Sequence, residues 1–191
     1  GDWDIGLSQF IGTSRDPSFI DGKNAAGTTV KIPRYEQIRQ TSLDLSFVSG
    51  QWLWKGESLY RSGQGNNDYF AWTGGFEYTF ARAWNSQMDL GIIGEWMFDT
   101  RDDNASTPFE NDLAGGLRLS LNDAASTEAL FSWTQDINSQ ARYLLLEARR
   151  RLGEQLLLTT EFRAFINQPS EDFLFEQRAD EIINIELSYY F

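Results

Sequence analysis

The stretch Phe70-Ala71-Trp72-Thr73-Gly74-Gly75-Phe76-Glu77-Tyr78-Thr79-Phe80 decides the fold. Its large apolar residues fall at every second position, and the positions between hold Ala, Thr, Gly and Glu. A period of two belongs to a β-strand whose two faces meet different surroundings; a helix would repeat near 3.6. The next segment has the same rhythm in Met88, Leu90, Ile92, Gly94, Trp96 and Phe98. Towards the N-terminus it returns in Trp52, Trp54 and Tyr60, in Leu43, Leu45 and Phe47, and in Trp3, Ile5 and Leu7. Towards the C-terminus it runs through Leu113, Leu117 and Leu119, then Ala129, Phe131 and Trp133, then Leu144, Leu146 and Ala148. It ends with Leu158, Phe162 and Ile166, and with Ile183, Ile185, Leu187, Tyr189 and Phe191. Ten strands are expected, near 2–13, 36–48, 52–62, 69–81, 87–99, 109–122, 126–136, 140–151, 156–167 and 181–191.

These strands are long for a soluble sheet. A tilted strand needs about 9–11 residues to cross the hydrocarbon layer of a membrane, which they supply. The links alternate in length. Short ones fall at 49–51, 82–86, 123–125 and 152–155, longer ones at 14–35, 63–68, 100–108 and 168–180, with a modest one at 137–139. An up-and-down barrel with short turns at one end and long loops at the other has this pattern. The outward aromatics are then expected in two bands. Trp3, Phe47, Trp52, Trp54, Tyr78, Phe80, Tyr189 and Phe191 fall at the short-turn end, and Phe70, Trp72, Trp96, Phe98, Phe109, Phe131 and Trp133 nearer the long-loop end. Such girdles form where Trp and Tyr meet the membrane–water interface.

Composition agrees and excludes other classes. Mean hydropathy is -0.44 although 15% of residues are aromatic, a combination open to a membrane barrel because only alternate residues face lipid. No apolar run approaches the roughly 18–20 residues of a transmembrane helix. With 28 acidic against 16 basic residues the net charge is -12, which disfavours nucleic acid as a partner. There is no cysteine for a disulfide or thiolate site. There is no histidine either, so a Ser-His-Asp relay is impossible and no enzyme activity is expected.

The chain closes on Ile185-Glu186-Leu187-Ser188-Tyr189-Tyr190-Phe191. This resembles the C-terminal assembly signal of the Gram-negative outer-membrane β-barrel superfamily, with Leu187, Tyr189 and Phe191 at its alternate positions. The resemblance implies recognition by the barrel-assembly machinery, a location in the outer membrane of a Gram-negative bacterium, and contact with outer-membrane lipid and lipopolysaccharide. The stretch Trp54-Lys55-Gly56-Glu57-Ser58-Leu59-Tyr60-Arg61-Ser62-Gly63-Gln64-Gly65, with Thr73-Gly74-Gly75-Phe76-Glu77-Tyr78-Thr79-Phe80 after it, is similar to segments of uncharacterised porin-like outer-membrane proteins. Those proteins are longer, so this single β-barrel domain over 1–191 is expected to be either a whole barrel or the C-terminal part of a larger one. The resemblance brings no substrate and no cofactor.

The other face of the same strands carries the charge. Asp44, Lys55, Glu57, Arg61, Glu77, Asp89, Glu95, Arg118, Glu128, Glu147, Arg149, Arg151, Glu161, Arg163 and Glu186 are expected to face the lumen, with acids in surplus. The core of this network is Lys55, Glu57, Arg61, Arg118, Glu147, Arg149, Glu161 and Arg163. In the hairpin around Gly153 an acid is expected to meet a base across the strands. The set reads either as the lining of a porin-like channel or as an ionic lattice filling a narrow, non-conducting barrel that presents its outer loops to partners; for ten closed strands the lattice is the reading favoured. Arg142 and Arg150 fall on the outward register, near strand ends where a basic head can reach phosphate. Asp99, Asp102, Asp103, Glu110 and Asp112, and later Glu171, Asp172, Asp180 and Glu181, place oxygens in the loops. Oxygens suit calcium or magnesium, but no EF-hand spacing appears, and solvated acidic loops are expected.

Overall fold

A computed structural model describes residues 2–191 apart from 66, 67, 106, 171 and 173. Ten strands form one antiparallel sheet: β1 (Asp2–Thr13), β4 (Gln37–Ser49), β5 (Trp52–Ser62), β6 (Tyr69–Phe80), β7 (Asp89–Asp99), β8 (Asn111–Ser120), β9 (Glu128–Asp136), β10 (Arg142–Leu152), β11 (Leu156–Ile166) and β12 (Glu181–Tyr189). Each pairs with the next, the up-and-down order that short reversals between long strands dictate. Two reversals are tight hairpins. Gly50, at φ 61°, turns β4 into β5, and Gly153, at φ 76°, turns β10 into β11. Both angles lie in the left-handed region that only glycine enters freely.

The expected barrel is corrected on two points. The sheet is not closed, because β1 and β12 do not pair and each leaves a free edge. Alternation fixes which face each residue occupies and which strands are neighbours, but it carries no information on whether the first and last strands meet. The 14–35 link is also more than a loop. It forms a second hairpin of β2 (Ser18–Lys23) and β3 (Thr29–Arg34), in which Ile20 opposes Ile32. Glu36 fastens this hairpin to the sheet by accepting from the Gly65 N–H and the Ser18 hydroxyl. Those bonds to its charged form hold the Glu36 carboxyl below its ordinary pKa.

The register is oblique. Cross-strand partners traced from Trp3 lead through Phe47, Trp54, Phe76, Gly94, Gly115, Trp133, Leu144 and Ala164 to Glu181. The path begins at the short-turn end of β1 and ends at the long-loop end of β12. Strands staggered in this direction are tilted relative to the row of hydrogen bonds, the shear that a closing sheet requires.

That same row lies wholly on one face, and the face is mostly apolar, with the charges of Arg142, Arg150 and Glu181 near strand ends. Every alternating set read from the sequence falls on it. Trp3, Ile5, Leu7, Trp54, Ile92, Trp96, Leu117, Phe131, Leu146, Ile183, Ile185 and Leu187 on it are exposed, and none of the described residues covers them. Only Ile38, Tyr69, Ala141 and Ala164 are buried apolar residues, so the usual hydrophobic core is missing among the described residues. Aromatic rings cluster at the short-turn end: Trp3 stacks on Phe47 at 4.4 Å, Trp52 meets Tyr78 at 4.7 Å, and Tyr78 meets Phe80 at 4.5 Å. Tyr189 stacks loosely on Phe191 at 6.3 Å. The band at the other end is less regular than expected. Trp96 and Phe98 keep it, but Phe131 stands midway along β9, and Phe109 precedes β8 and turns into the mouth beside Asp112.

Candidate functional site

The second face holds all the charges assigned to it. Register places Asp44, Glu57, Glu77, Glu95, Arg118, Glu147, Arg149, Glu161 and Arg163 on the side opposite Trp54 and Ile92. They do not form one lattice. Arg118 pairs with Glu77 across two strand intervals, Arg149 with Glu128 at 2.7 Å on the neighbouring strand, and Arg163 with Glu161 at 2.6 Å within its own strand. Arg61 reaches Gln40 at 2.9 Å, Gln64 at 2.8 Å and Asp16 at 3.5 Å. Among the described residues no ion pair falls to Lys55, Glu57 or Glu147. The side chains of Arg118 and Arg149 are 54% and 58% exposed, so these pairs are wet and stabilise little.

One expectation about this face is overturned. In the β10–β11 hairpin Glu147 stands directly opposite Glu161, while Arg149 opposes Thr159 and Arg163 opposes Leu145. The turn decides this, because pairing Leu152 with Leu156 sets every later partner. Like charges opposed on one face repel, and the strands tolerate it because Arg163 and the Asn184 amide at 3.3 Å both hold Glu161. Glu147→Gln is therefore expected to leave stability unchanged or raise it by about 0.2–1 kcal/mol. Glu161→Gln, which strands Arg163, is expected to lower it by up to about 1 kcal/mol. Thermal unfolding of both variants checks the opposite signs, and equal losses would mean that another register is populated.

At the long-loop end the charged face runs into a mouth, where nearly all the buried polar residues lie. Asp99, the last residue of β7, is gripped by Arg101 at 2.6 Å, and the Arg101 guanidinium lies 3.8 Å over the Tyr69 ring, with Arg61 at 5.6 Å from the same ring. A cation on an aromatic face and a buried ion pair fix this part of the rim. Beyond it, Asp112 at the start of β8 stands directly opposite Asp136 at the end of β9. They are 3% and 8% exposed. Asp136 accepts from the Asn138 N–H at 2.7 Å and from the Ser139 hydroxyl, and Asp112 accepts from the Asn111 N–H at 3.3 Å. Gln168, 7% exposed, donates from Nε2 to the Arg142 carbonyl at 3.0 Å, and its Oε1 has no partner. Phe109, Tyr143, Asp172 and Leu174 complete the walls of a small cleft around these groups.

Glu110, just outside β8, feels this assembly. Burial, and then the charges of Asp112, Asp136 and Asp172, push its carboxyl up from 4.5 to about 7 against one backbone hydrogen bond that lowers it. The folded protein thus holds this proton more tightly than the unfolded chain. The stability it contributes is complete below about pH 4.5 and is lost as pH rises through 7. Glu110→Gln should flatten the stability profile across that window and gain about 1–2 kcal/mol above it, after allowing for solvent screening. Unfolding midpoints in EDTA from pH 4 to 8.5 would check this, and an unchanged profile would count against it.

Of the loop acids named from sequence, Glu171 lies outside the described residues. Asp112 is drawn into the cleft, whereas Asp180 and Glu181 lie apart from it and remain exposed. Among the described residues no group of three or more acidic side chains stands together in a metal-binding arrangement. Sequence reasoning missed Asp136 and Gln168. Asp136 was legible in part, as it continues the inward register of Ser132 and Thr134; nothing in the chain marks Gln168. Arg142 and Arg150 do occupy the outward face, where Arg142 reaches Gln135 at 2.7 Å and Arg150 reaches Thr127 at 3.0 Å. No protein-family model, curated protein or solved structure matches the chain.

Proposed function

We propose that the chain forms the wall of an outer-membrane β-barrel, a porin-like channel or part of one, with its charged face lining the lumen. One observation carries the reading: a mostly apolar face spans ten strands, exposes large apolar side chains from β1 to β12, and has no hydrophobic core against it among the described residues. A large exposed apolar surface signals a membrane or a partner. Its strand lengths and oblique register suit a tilted barrel wall. The closing Leu187, Tyr189 and Phe191 support delivery by the barrel-assembly machinery to the outer membrane of a Gram-negative bacterium, among its lipids and lipopolysaccharide. No enzyme activity and no nucleic-acid partner belong to this reading. A second reading, a non-conducting barrel that presents its loops to a partner, draws on the buried polar groups at the long-loop end.

Planar-bilayer recording separates the two. With acids in surplus on the inner face, an open lumen should pass cations in preference to anions. Replacing Glu147 and Glu161 by glutamine should then lower that preference. Recordings without conductance steps at any voltage would favour the non-conducting barrel. A monodisperse protein free of detergent, with no exposed apolar belt, would defeat the membrane reading altogether.

A further inference from the structure

We infer that the mouth cleft is a calcium site, with one carboxylate each from Asp112 and Asp136 and the Gln168 Oε1 as its protein ligands. The inference concerns the loops and holds whether or not the sheet spans a membrane.

Two observations converge on it. The first is a pair of aspartates set face to face across β8 and β9, both almost wholly buried. Two carboxylates removed from water at one point repel strongly, and burial multiplies the cost unless positive charge stands between them. The one basic residue on the cleft wall is Arg142, whose Nε is already given to Gln135 Oε1 at 2.7 Å on the outward face. The second observation is independent of acidity. Gln168 is 7% exposed and lines the same cleft; its Nε2 is fixed on the Arg142 carbonyl, and its Oε1 is buried without a donor.

That amide oxygen discriminates between a proton and a metal. A proton shared by the aspartates would relieve their repulsion and leave Oε1 unsatisfied. A hard cation is held by carboxylate and amide oxygens together, which is the mixed oxygen set that calcium takes. Magnesium fits less well, since it demands near-ideal octahedral geometry, and here the ligands come from the start of β8, the end of β9 and the link after β11. Two carboxylates and one amide oxygen leave the other positions to water and main-chain carbonyls, as is usual for calcium. Binding would tie Gln168 to the facing ends of β8 and β9.

The test uses the full chain refolded in detergent. Calcium should raise the unfolding temperature above its value in EDTA in one saturable step, and magnesium at equal concentration should raise it less. Terbium should bind with luminescence excited through tyrosine, since Tyr143 is on the cleft wall, and calcium should displace it. The double variant Asp112→Asn, Asp136→Asn should unfold at a higher temperature than wild type in EDTA and lose the calcium response. Gln168→Leu should weaken calcium at least about tenfold, and Gln168→Glu should restore it. If the double variant fails to fold, the Gln168 pair decides alone. Absence of a calcium-dependent shift in the wild type, an equal shift with magnesium, or a shift that survives in the variants would overturn the site.

Discussion

Ile92→Arg lowers stability by about 2–4 kcal/mol in lipid vesicles, and Ile93→Arg by clearly less, if the apolar face meets the membrane. The two residues are adjacent near the middle of β7 and point to opposite faces. Ile92 opposes Tyr78 and Leu117 in the apolar row, and is 37% exposed. On the membrane reading, an arginine there would meet lipid, with only Tyr78 and Leu117 as cross-strand neighbours. Ile93 opposes Glu77 and Gly116 on the charged face. An arginine in that position finds a carboxylate beside it and open space across the strand. Urea unfolding in vesicles measures both. Equal penalties would place the lipid elsewhere or show that the two faces are not distinguished.

Gly75→Ala is expected to cost about 2–3 kcal/mol, and Gly115→Ala to stay within about 0.5 kcal/mol of wild type. The same methyl group is added in the two cases, and only its surroundings differ. At Gly75 it would be driven onto the Gly94 carbonyl oxygen and would stand 2.9 Å from the Glu95 Cα. Both obstacles are backbone of β7, so relief requires β6 and β7 to part and their ladder to break. At Gly115 the nearest atom is Trp133 Cε3 at 3.9 Å, an ordinary contact. Because Gly75 lies on the charged face, this contrast should appear in detergent and in vesicles alike. Amide hydrogen exchange would locate the damage at the β6–β7 ladder. A neutral Gly75→Ala would mean that these strands are less closely apposed than the geometry requires.

The two faces were legible because a strand's side chains alternate strictly, so Trp72 and Thr73, or Ile92 and Ile93, had to part company wherever the strand ran. The number and order of the ten strands of the main sheet followed from where that alternation breaks, at Gly50, near Asn85 and at Gly153, whereas the β2–β3 hairpin did not. Those breaks are local, and local sequence is enough to read them. Three further features depended on distances along the chain that no local pattern encodes. The Glu147–Glu161 opposition came from the turn at Gly153, where a register two residues longer would have set Glu147 against Arg163 instead. The open sheet came from the relation between β1 and β12, the strands furthest apart in sequence. The mouth cleft came from three separate elements, since Asp112, Asp136 and Gln168 meet only after β8, β9 and β11 have aligned. The sequence by itself thus determined which residues face which way, because that is set by neighbours one bond apart; tertiary structure alone decided which charges meet, because a single residue of register moves every partner along the strand.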